Sequence, residues 1–313
     1  MTESAGLLDL SSRSRLCLLG ADRVNFLHGQ VTNDINGLAE NSGCYAALVN
    51  AKGKMESDLF VYRLEEEILL DFEPNLTEPV QSRLEKFIIT EDVEVVNVAP
   101  HFGLLSIQGP KAAKVVETLK LPVPEENYTL AKTEEEIYII NQPRLGTIGF
   151  DLFVPVDSLG ELKSRLTEYV PLCGEAAFDH ARILGTIPRF GQDITESNLA
   201  PEGGIEPRAI SYAKGCYIGQ EIIARIRTYG KVKRILRGLS LDGVAVKGDE
   251  IFSGDKKVGV LSSVTTEPNV ALAIIHRDAI EPSTSLRVNT KNGSVTAKVA
   301  TLPFERFSVL EVH

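Results

Sequence analysis

Apolar and polar positions follow one pattern in most of the chain and another after about residue 234. In the first part, short apolar runs such as 14–19 and 104–108 precede segments with helical spacing, so strands and helices alternate. A glycine separates strand from helix in both cases, which indicates a duplicated α+β unit. Beyond residue 234, short strands are separated by Gly, Asn, Asp or Pro, the pattern of a small β-barrel or sandwich.

This change of pattern predicts the domain organisation. The chain has 313 residues, and at ~150 residues per domain it is long enough for about two domains. We expect residues 1–234 to form a body of two interleaved α+β subdomains and residues 235–313 to form a C-terminal β-barrel domain. The poorly periodic stretch 189–213 is a long loop of the kind that is usually functional or mobile.

Composition restricts the partners. Hydrophobic residues make up 43% of the chain, and the net charge of −10 repels a nucleic-acid backbone. The N-terminus lacks the apolar core of a signal peptide, and no apolar run approaches the ~20 residues of a membrane span. We therefore expect a cytoplasmic protein with no membrane partner and no direct nucleic-acid partner.

The cysteines and histidines predict no metal site. No two of the four cysteines form a C-x-x-C motif, and the five histidines are scattered along the chain. A zinc site needs about four clustered ligands, and an iron–sulfur cluster usually needs four thiolates. The chain by itself is therefore expected to hold neither.

The octapeptide KGCYIGQE, residues 214–221, places a cysteine on permissive backbone. Gly215 and Gly219 flank Cys216, and a helix is predicted from Gln220. The start of that helix and the nearby Lys214 would both favour a thiolate at Cys216. The alternative is a small buried hydrophobic residue, which free cysteine often is.

A basic run follows at residues 225–237. It contains six arginines and lysines and no acidic residue, which makes it a candidate anion site. The alternative is a solvated helix end followed by an interdomain linker, since charge runs commonly have that role.

The octapeptide matches the signature of the YgfZ family, folate-dependent proteins linked to iron–sulfur cluster assembly and repair. The segments 26–34, 51–63, 104–112, 182–194 and 254–263 resemble the wider superfamily that includes the glycine-cleavage T-protein, an aminomethyltransferase. The resemblance implies an α+β fold with three subdomains in a ring around a central folate site, and a small C-terminal β-barrel. It also implies tetrahydrofolate, or a one-carbon derivative of it, as the cofactor.

The resemblance assigns the site residues. Cys216 and Lys214 are the expected catalytic pair, and the basic run suits the anionic folate tail. Asn33 and Asp34 could contact the pteridine, although "TNDING" is also good turn chemistry. The expected folate-binding residues are Asn33, Asp34, Tyr217, Gln220, Glu221, Arg225 and Arg227.

Two positions bear on the choice of activity. Leu184 stands where the T-protein has a folate-anchoring glutamate, and leucine cannot pair with the donor edge of a pterin. This departure argues against aminomethyl transfer with that anchor. Asp58 falls near the acidic stretch of the T-protein active site, but an ordinary strand or turn aspartate is an equal alternative.

Two functions therefore remain. The first is a tetrahydrofolate-binding accessory protein that supports iron–sulfur cluster assembly or repair in client enzymes through Cys216. Such a protein could affect tRNA modification without touching RNA. The second is an enzyme, a folate-dependent aminomethyl- or methyltransferase of the T-protein type.

Overall fold

The computed structural model describes residues 4–301, which form two compact units. The first unit consists of residues 4–50, 56–178 and 208–218, and the second of residues 51–55, 179–207 and 219–301. Residues 302–313 of the predicted barrel domain lie outside the described residues.

The first unit contains two mostly antiparallel β-sheets. The six-stranded sheet has the order β11-β1-β7-β10-β9-β8, and only the β1–β11 pair is parallel. Its strands are β1 (Gly6–Asp9), β7 (Phe102–Gln108), β8 (Leu130–Lys132), β9 (Tyr138–Asn141), β10 (Gly149–Pro155) and β11 (Leu172–Cys173). The five-stranded sheet has the order β3-β4-β5-β2-β6. Its strands are β2 (Ser14–Leu19), β3 (Ser42–Val49), β4 (Met55–Arg63), β5 (Ile68–Phe72) and β6 (Glu94–Asn97).

Helices cover one face of each sheet, and the two other faces pack together. Helices α1 (Arg23–Gln30) and α2 (Thr77–Glu85) share an apolar core with the five-stranded sheet. Helices α3 (Ala112–Thr118) and α4 (Val156–Thr167) do the same for the six-stranded sheet. A third core joins the sheets, with side chains such as Cys17, Tyr62, Leu104 and Phe153. Alternation along the strands permits this, because successive side chains point to opposite faces.

The predicted duplication is visible in the order of elements. β2 is followed by Gly20 and α1, and β7 is followed by Gly109 and α3. Both glycines have positive φ, at 98° and 126°, which a residue with a side chain rarely adopts. A Cβ at Gly20 would lie 2.1 Å from the carbonyl oxygen of Asp92, so this turn also needs the close approach that glycine permits.

A closed six-stranded barrel dominates the second unit. Its order is β12-β15-β14-β13-β16-β17, and every described pair is antiparallel. The strands are β12 (Arg234–Leu241), β13 (Glu250–Ser253), β14 (Lys256–Thr266), β15 (Asn269–His276), β16 (Ser285–Thr290) and β17 (Gly293–Val299). The predicted α+β class with a C-terminal β-barrel is confirmed.

Three further α-helices are α5 (Glu175–Leu184), α6 (Glu206–Ala209) and α7 (Gln220–Tyr229), and two short 3-10 helices span Ala200–Gly203 and Arg277–Ala279. Helix α7 begins at Gln220, as predicted from the sequence, after Gly219 in the left-handed conformation with φ 84°. From the sequence, Asp157 is expected to cap helix α4, and this expectation is wrong. Asp157 lies inside that helix, and Pro155 occupies the N-cap position without a side-chain cap bond.

Candidate functional site

Lys214 of the octapeptide is buried in the first unit, where its ammonium group lies at the end of α1. Its Nζ donates hydrogen bonds to the carbonyl oxygens of His28, Val31 (2.7 Å) and Asn33 (2.9 Å). These carbonyls belong to the last turn of α1 and the loop after it, where backbone acceptors lack helical partners and a positive charge is favourable. Lys214 therefore fastens segment 208–218 to the α1 end, and its three donors are occupied by that role.

Burial lowers the pKa of Lys214 to about 8, although the nearby Asp34 and Cys44 act in the opposite direction. The Tyr217 ring adds a cation–π contact, with its centroid 4.9 Å from Nζ. Burial also raises the pKa of Tyr217 to about 12. Tyr217 is thus a packing partner of Lys214 in this structure, and its predicted contact with folate stays a prediction.

Asn33 braces the same loop. Its Nδ2 donates to the carbonyl oxygens of Tyr45 (2.8 Å) and Arg208 (3.0 Å), and its Oδ1 accepts the Asp34 amide (2.9 Å). Asp34 accepts the Gly37 amide at 3.0 Å, as expected of a turn aspartate. The side chain of Asn33 is therefore engaged with the chain itself, and direct pteridine contacts from Asn33 and Asp34 stay predictions.

The remaining candidate residues divide between the two units. Cys216 is exposed and belongs to the first unit. The four α7 residues belong to the second unit, where Glu221, Arg225 and Arg227 are exposed and Gln220 is half-buried. The family resemblance placed all nine residues in one folate site, and that placement stays a prediction. Within the first unit, the structure brings together Asn33, Asp34, Lys214 and Tyr217.

Asn33 leads directly to a cluster that holds a perturbed carboxyl group. The hydroxyl of Tyr45, on β3, donates to Oδ2 of Asp58, on β4, at 2.6 Å. Burial, with a smaller contribution from the charge of Glu73, raises the pKa of Asp58 to about 6. The Tyr45 hydrogen bond opposes this shift because it stabilises the ionised carboxylate. A half-buried carboxyl group with this pKa can exchange a proton near neutral pH.

Aromatic rings and one arginine surround this pair. The Phe60 ring centroid lies 5.0 Å from that of Tyr45 and 6.5 Å from that of Tyr128, with which it is stacked. The guanidinium of Arg208 lies 5.2 Å from the Tyr45 ring centroid. Tyr128 has φ 64°, a left-handed conformation that is uncommon for an aromatic residue. Backbone strain of this kind concentrates at functional sites.

We call these five residues (Tyr45, Asp58, Phe60, Tyr128 and Arg208) the Asp58 cluster. Of these five residues, only Asp58 is a candidate from the sequence, with an ordinary strand or turn aspartate as the alternative. Alternation marks Asp58 as an off-core position of β4, but nothing in the sequence pairs it with Tyr45. Tyr128 lies in a loop and Arg208 lies in α6, 70 and 150 residues further along the chain than Asp58, so only tertiary structure reveals them.

Leu184 has a packing role in the second unit. It is buried with Ile183 on α5 and with the barrel residues Leu236, Val270 and Leu272. Arg182, two residues earlier on α5, is also buried, and its Nη1 donates to Oδ2 of Asp193 at 2.7 Å. This end of α5 therefore supports the barrel, and Leu184 offers no polar group to a ligand.

The described residues contain neither a group of side chains that could hold a metal ion nor a membrane-spanning helix. Between residues 4 and 301, no group of three or more His, Cys, Asp or Glu side chains is arranged to hold a metal ion. In the same part of the chain, no helix is both long and apolar enough to cross a membrane.

Comparison with known proteins identifies the family. Residues 1–213 match the GCVT N-terminal domain, and residues 234–305 match the glycine cleavage T-protein C-terminal barrel domain. The chain belongs to the glycine-cleavage T-protein family. An aminomethyltransferase from Staphylococcus carnosus (strain TM300) is 30% identical over 312 residues, which cover 95% of this chain and 86% of that protein.

The T-protein-type fold is also found in a solved structure. The glycine cleavage system aminomethyltransferase T from Bartonella henselae superposes with a TM-score of 0.90 at 22% identity. The match covers 97% of this chain and 87% of that chain. At this identity the likeness concerns the fold alone. Membership of the narrower YgfZ family stays a prediction from the octapeptide.

Proposed function

We propose that this chain is a folate-dependent transferase of aminomethyl or methyl groups and that Asp58 is its proton-transferring residue. The observation that carries the proposal is the raised pKa of Asp58, about 6, inside the aromatic Asp58 cluster. Membership of the T-protein family and the 30% identity to an aminomethyltransferase support it.

The residues of the Asp58 cluster fit a reduced folate chemically. A pteridine is flat and carries N–H donors, so aromatic side chains and a carboxylate acceptor suit it. Phe60, Tyr128 and Asp58 supply those groups, and Arg208 supplies a cation for an acidic or electron-rich part of the ligand. When bound, tetrahydrofolate would supply the nitrogen nucleophile that accepts the one-carbon group.

The protein's own contribution is proton transfer at the Asp58 carboxylate. Near neutral pH most Asp58 side chains are ionised, so the carboxylate can accept a proton and later return it. Tyr45 fixes one carboxylate oxygen, Oδ2, and leaves Oδ1 as the oxygen we assign to proton transfer. Leu184 is committed to apolar packing, so we assign carboxylate recognition of the ligand to Asp58 rather than to α5.

Two measurements test this proposal. Calorimetric titration with tetrahydrofolate should show saturable binding, and an aminomethylated lipoyl carrier should support folate-dependent ammonia release. Asp58→Asn should lower turnover by about 10²–10⁴-fold, the usual contribution of a general acid–base residue. Asp255→Asn, at an exposed barrel turn, is the matched control. Unchanged turnover in Asp58→Asn, or no folate binding at millimolar concentration, would contradict the proposal.

A second function rests on a different observation, the exposed Cys216 within KGCYIGQE. We infer that a folate-loaded protein of this kind could instead support iron–sulfur cluster assembly or repair in client proteins. The cysteine would then exchange disulfides with a client protein or contribute one ligand to a shared cluster. Complementation of a strain lacking the corresponding factor should fail with Cys216→Ala and succeed with Cys173→Ala. If complementation fails with Asp58→Asn but succeeds with Cys216→Ala, the result favours the transferase.

A further inference from the structure

A groove on the barrel lies outside the Asp58 cluster, entirely within the second unit. Its volume is about 490 Å³, within the range of small-molecule sites in proteins. Val258 and Ile274, on β14 and β15, form the apolar part of its floor. Gly259 lies between them, and a Cβ there would come 2.8 Å from the carbonyl oxygen of Ile274. The floor therefore depends on the close approach of the Gly259 backbone to the Ile274 backbone, which a side chain at position 259 would prevent.

Three basic side chains border this groove. Arg234 on β12 is directly opposite His276 on β15, and Lys257 projects from β14. The side chains of Arg234 and Lys257 are 52% and 50% exposed, so both can turn towards a ligand. Arg234 also belongs to the basic run at 225–237, and no residue of that run is part of the Asp58 cluster.

The acidic neighbours do not close the groove to an anion. Glu202 is 3.9 Å from Arg234, near the limit of an ion pair, and its other oxygen already accepts the Leu199 amide. Lys257 pairs with Glu250 at 2.5 Å, but both side chains are about half exposed, and such surface pairs contribute little. His276 has Asp278 at 3.2 Å, on a side chain that is 73% exposed.

Asp193, the carboxylate that lines the groove, is neutralised. Asp193 accepts from Nη1 of Arg182 (2.7 Å), from the Arg189 amide (3.0 Å) and from the hydroxyls of Ser262 (2.5 Å) and Ser263 (2.7 Å). Its oxygens are thus occupied by an arginine and neutral donors, and its charge is balanced. The charge presented to a ligand comes from the exposed basic side chains at the border.

We propose that this groove binds an organic anion, a molecule with a carboxylate or phosphate group attached to an apolar body. Arg234 and Lys257 bind the anionic group through charge-assisted hydrogen bonds, the stronger class of hydrogen bond in proteins. Val258 and Ile274 contact the apolar body. The compact volume and mixed lining favour one small molecule over a macromolecular surface.

The test uses three probes on the full chain: phenyl phosphate, inorganic phosphate and phenol. Calorimetry should show saturable binding of phenyl phosphate, tighter than that of either fragment. Arg234→Gln and Lys257→Gln should each weaken it by about tenfold or more, the effect expected from losing a charged hydrogen-bond donor. Lys291→Gln, at the exposed turn between β16 and β17, removes the same charge away from the groove and should change nothing.

Three outcomes would overturn the proposal. The first is no saturable binding of phenyl phosphate up to about 10 mM. The others are an equal loss of phenyl phosphate affinity in Lys291→Gln and in the groove variants, or an affinity for inorganic phosphate equal to that for phenyl phosphate. The substituted side chains are exposed, and thermal unfolding verifies that the variants stay folded. Asp58→Asn should leave phenyl phosphate binding intact, so failure here is distinguishable from failure of the transferase proposal.

Discussion

The Tyr45 hydroxyl lies 2.6 Å from Oδ2 of Asp58 and is the main hydrogen bond that opposes protonation of this carboxyl group. Burial favours the neutral acid, whereas the donated hydrogen bond favours the carboxylate because it is stronger to a charged oxygen than to a neutral one. The balance leaves a pKa of about 6. The Tyr45 hydroxyl is thus one of the groups that hold the pKa of Asp58 near this value against burial.

Tyr45→Phe should therefore raise the pKa of Asp58 above 6. Because the ionised form is the proposed base, the acidic limb of the pH–rate profile should move to higher pH. The ¹³Cγ shift of Asp58 in labelled protein measures the same titration without turnover, and Asp58→Asn assigns the signal. An unchanged midpoint would show that the hydroxyl does not control this carboxyl group. Tyr169→Phe, at an exposed position, is the control.

Removing the ammonium of Lys214 should loosen the end of α1. Lys214→Met leaves one buried and two partly buried carbonyl oxygens without this donor, which we expect to cost roughly 1–3 kcal/mol of unfolding free energy. Urea unfolding measures the cost, and Lys298→Met on the barrel surface serves as control. Amide exchange at residues 28–34 should accelerate selectively. Uniform or unchanged exchange would mean that Lys214 does not hold this loop.

The four thiols should differ in alkylation rate. Burial raises the pKa of Cys17 well above its usual range, so this buried thiol should react only on unfolding. Burial raises the pKa of the partly exposed Cys44 to about 12, so Cys44 should react slowly. Cys216 is exposed and Cys173 is partly exposed, so Cys216 should label first. Mass spectrometry after brief treatment with iodoacetamide at several pH values reads out each site. Faster labelling of Cys173 would remove the chemical basis for a working thiol at Cys216.

A strained threonine follows α5. Thr186 has φ 57°, and its hydroxyl is buried with no hydrogen-bond partner among the described residues. Because β-branched residues disfavour the left-handed conformation, Thr186→Gly should stabilise the protein by about 0.5–1 kcal/mol. Thermal unfolding measures the change. Thr284→Gly, at a position without positive φ, should destabilise instead, and stabilisation by both variants would refute the strain argument.

The sequence by itself determined the element types, the barrel and the family resemblance. Alternation and turn residues are local signals, so the strands of the barrel and the start of α7 at Gln220 were predictable. The Asp157 cap failed because Pro155 already fixes the backbone where the helix begins, and a side-chain cap is only one way to start a helix.

Only the tertiary structure decided what the conspicuous residues contact. Lys214 reads in sequence as a neighbour of Cys216, but folding places its ammonium against carbonyls almost 190 residues earlier in the chain. Asn33 similarly connects Tyr45 to Arg208, 163 residues apart in sequence. The Tyr45–Asp58 bond and the pKa that follows from it depend on strand pairing and burial. Those quantities are set by the whole packed unit, so no local pattern of residues encodes them.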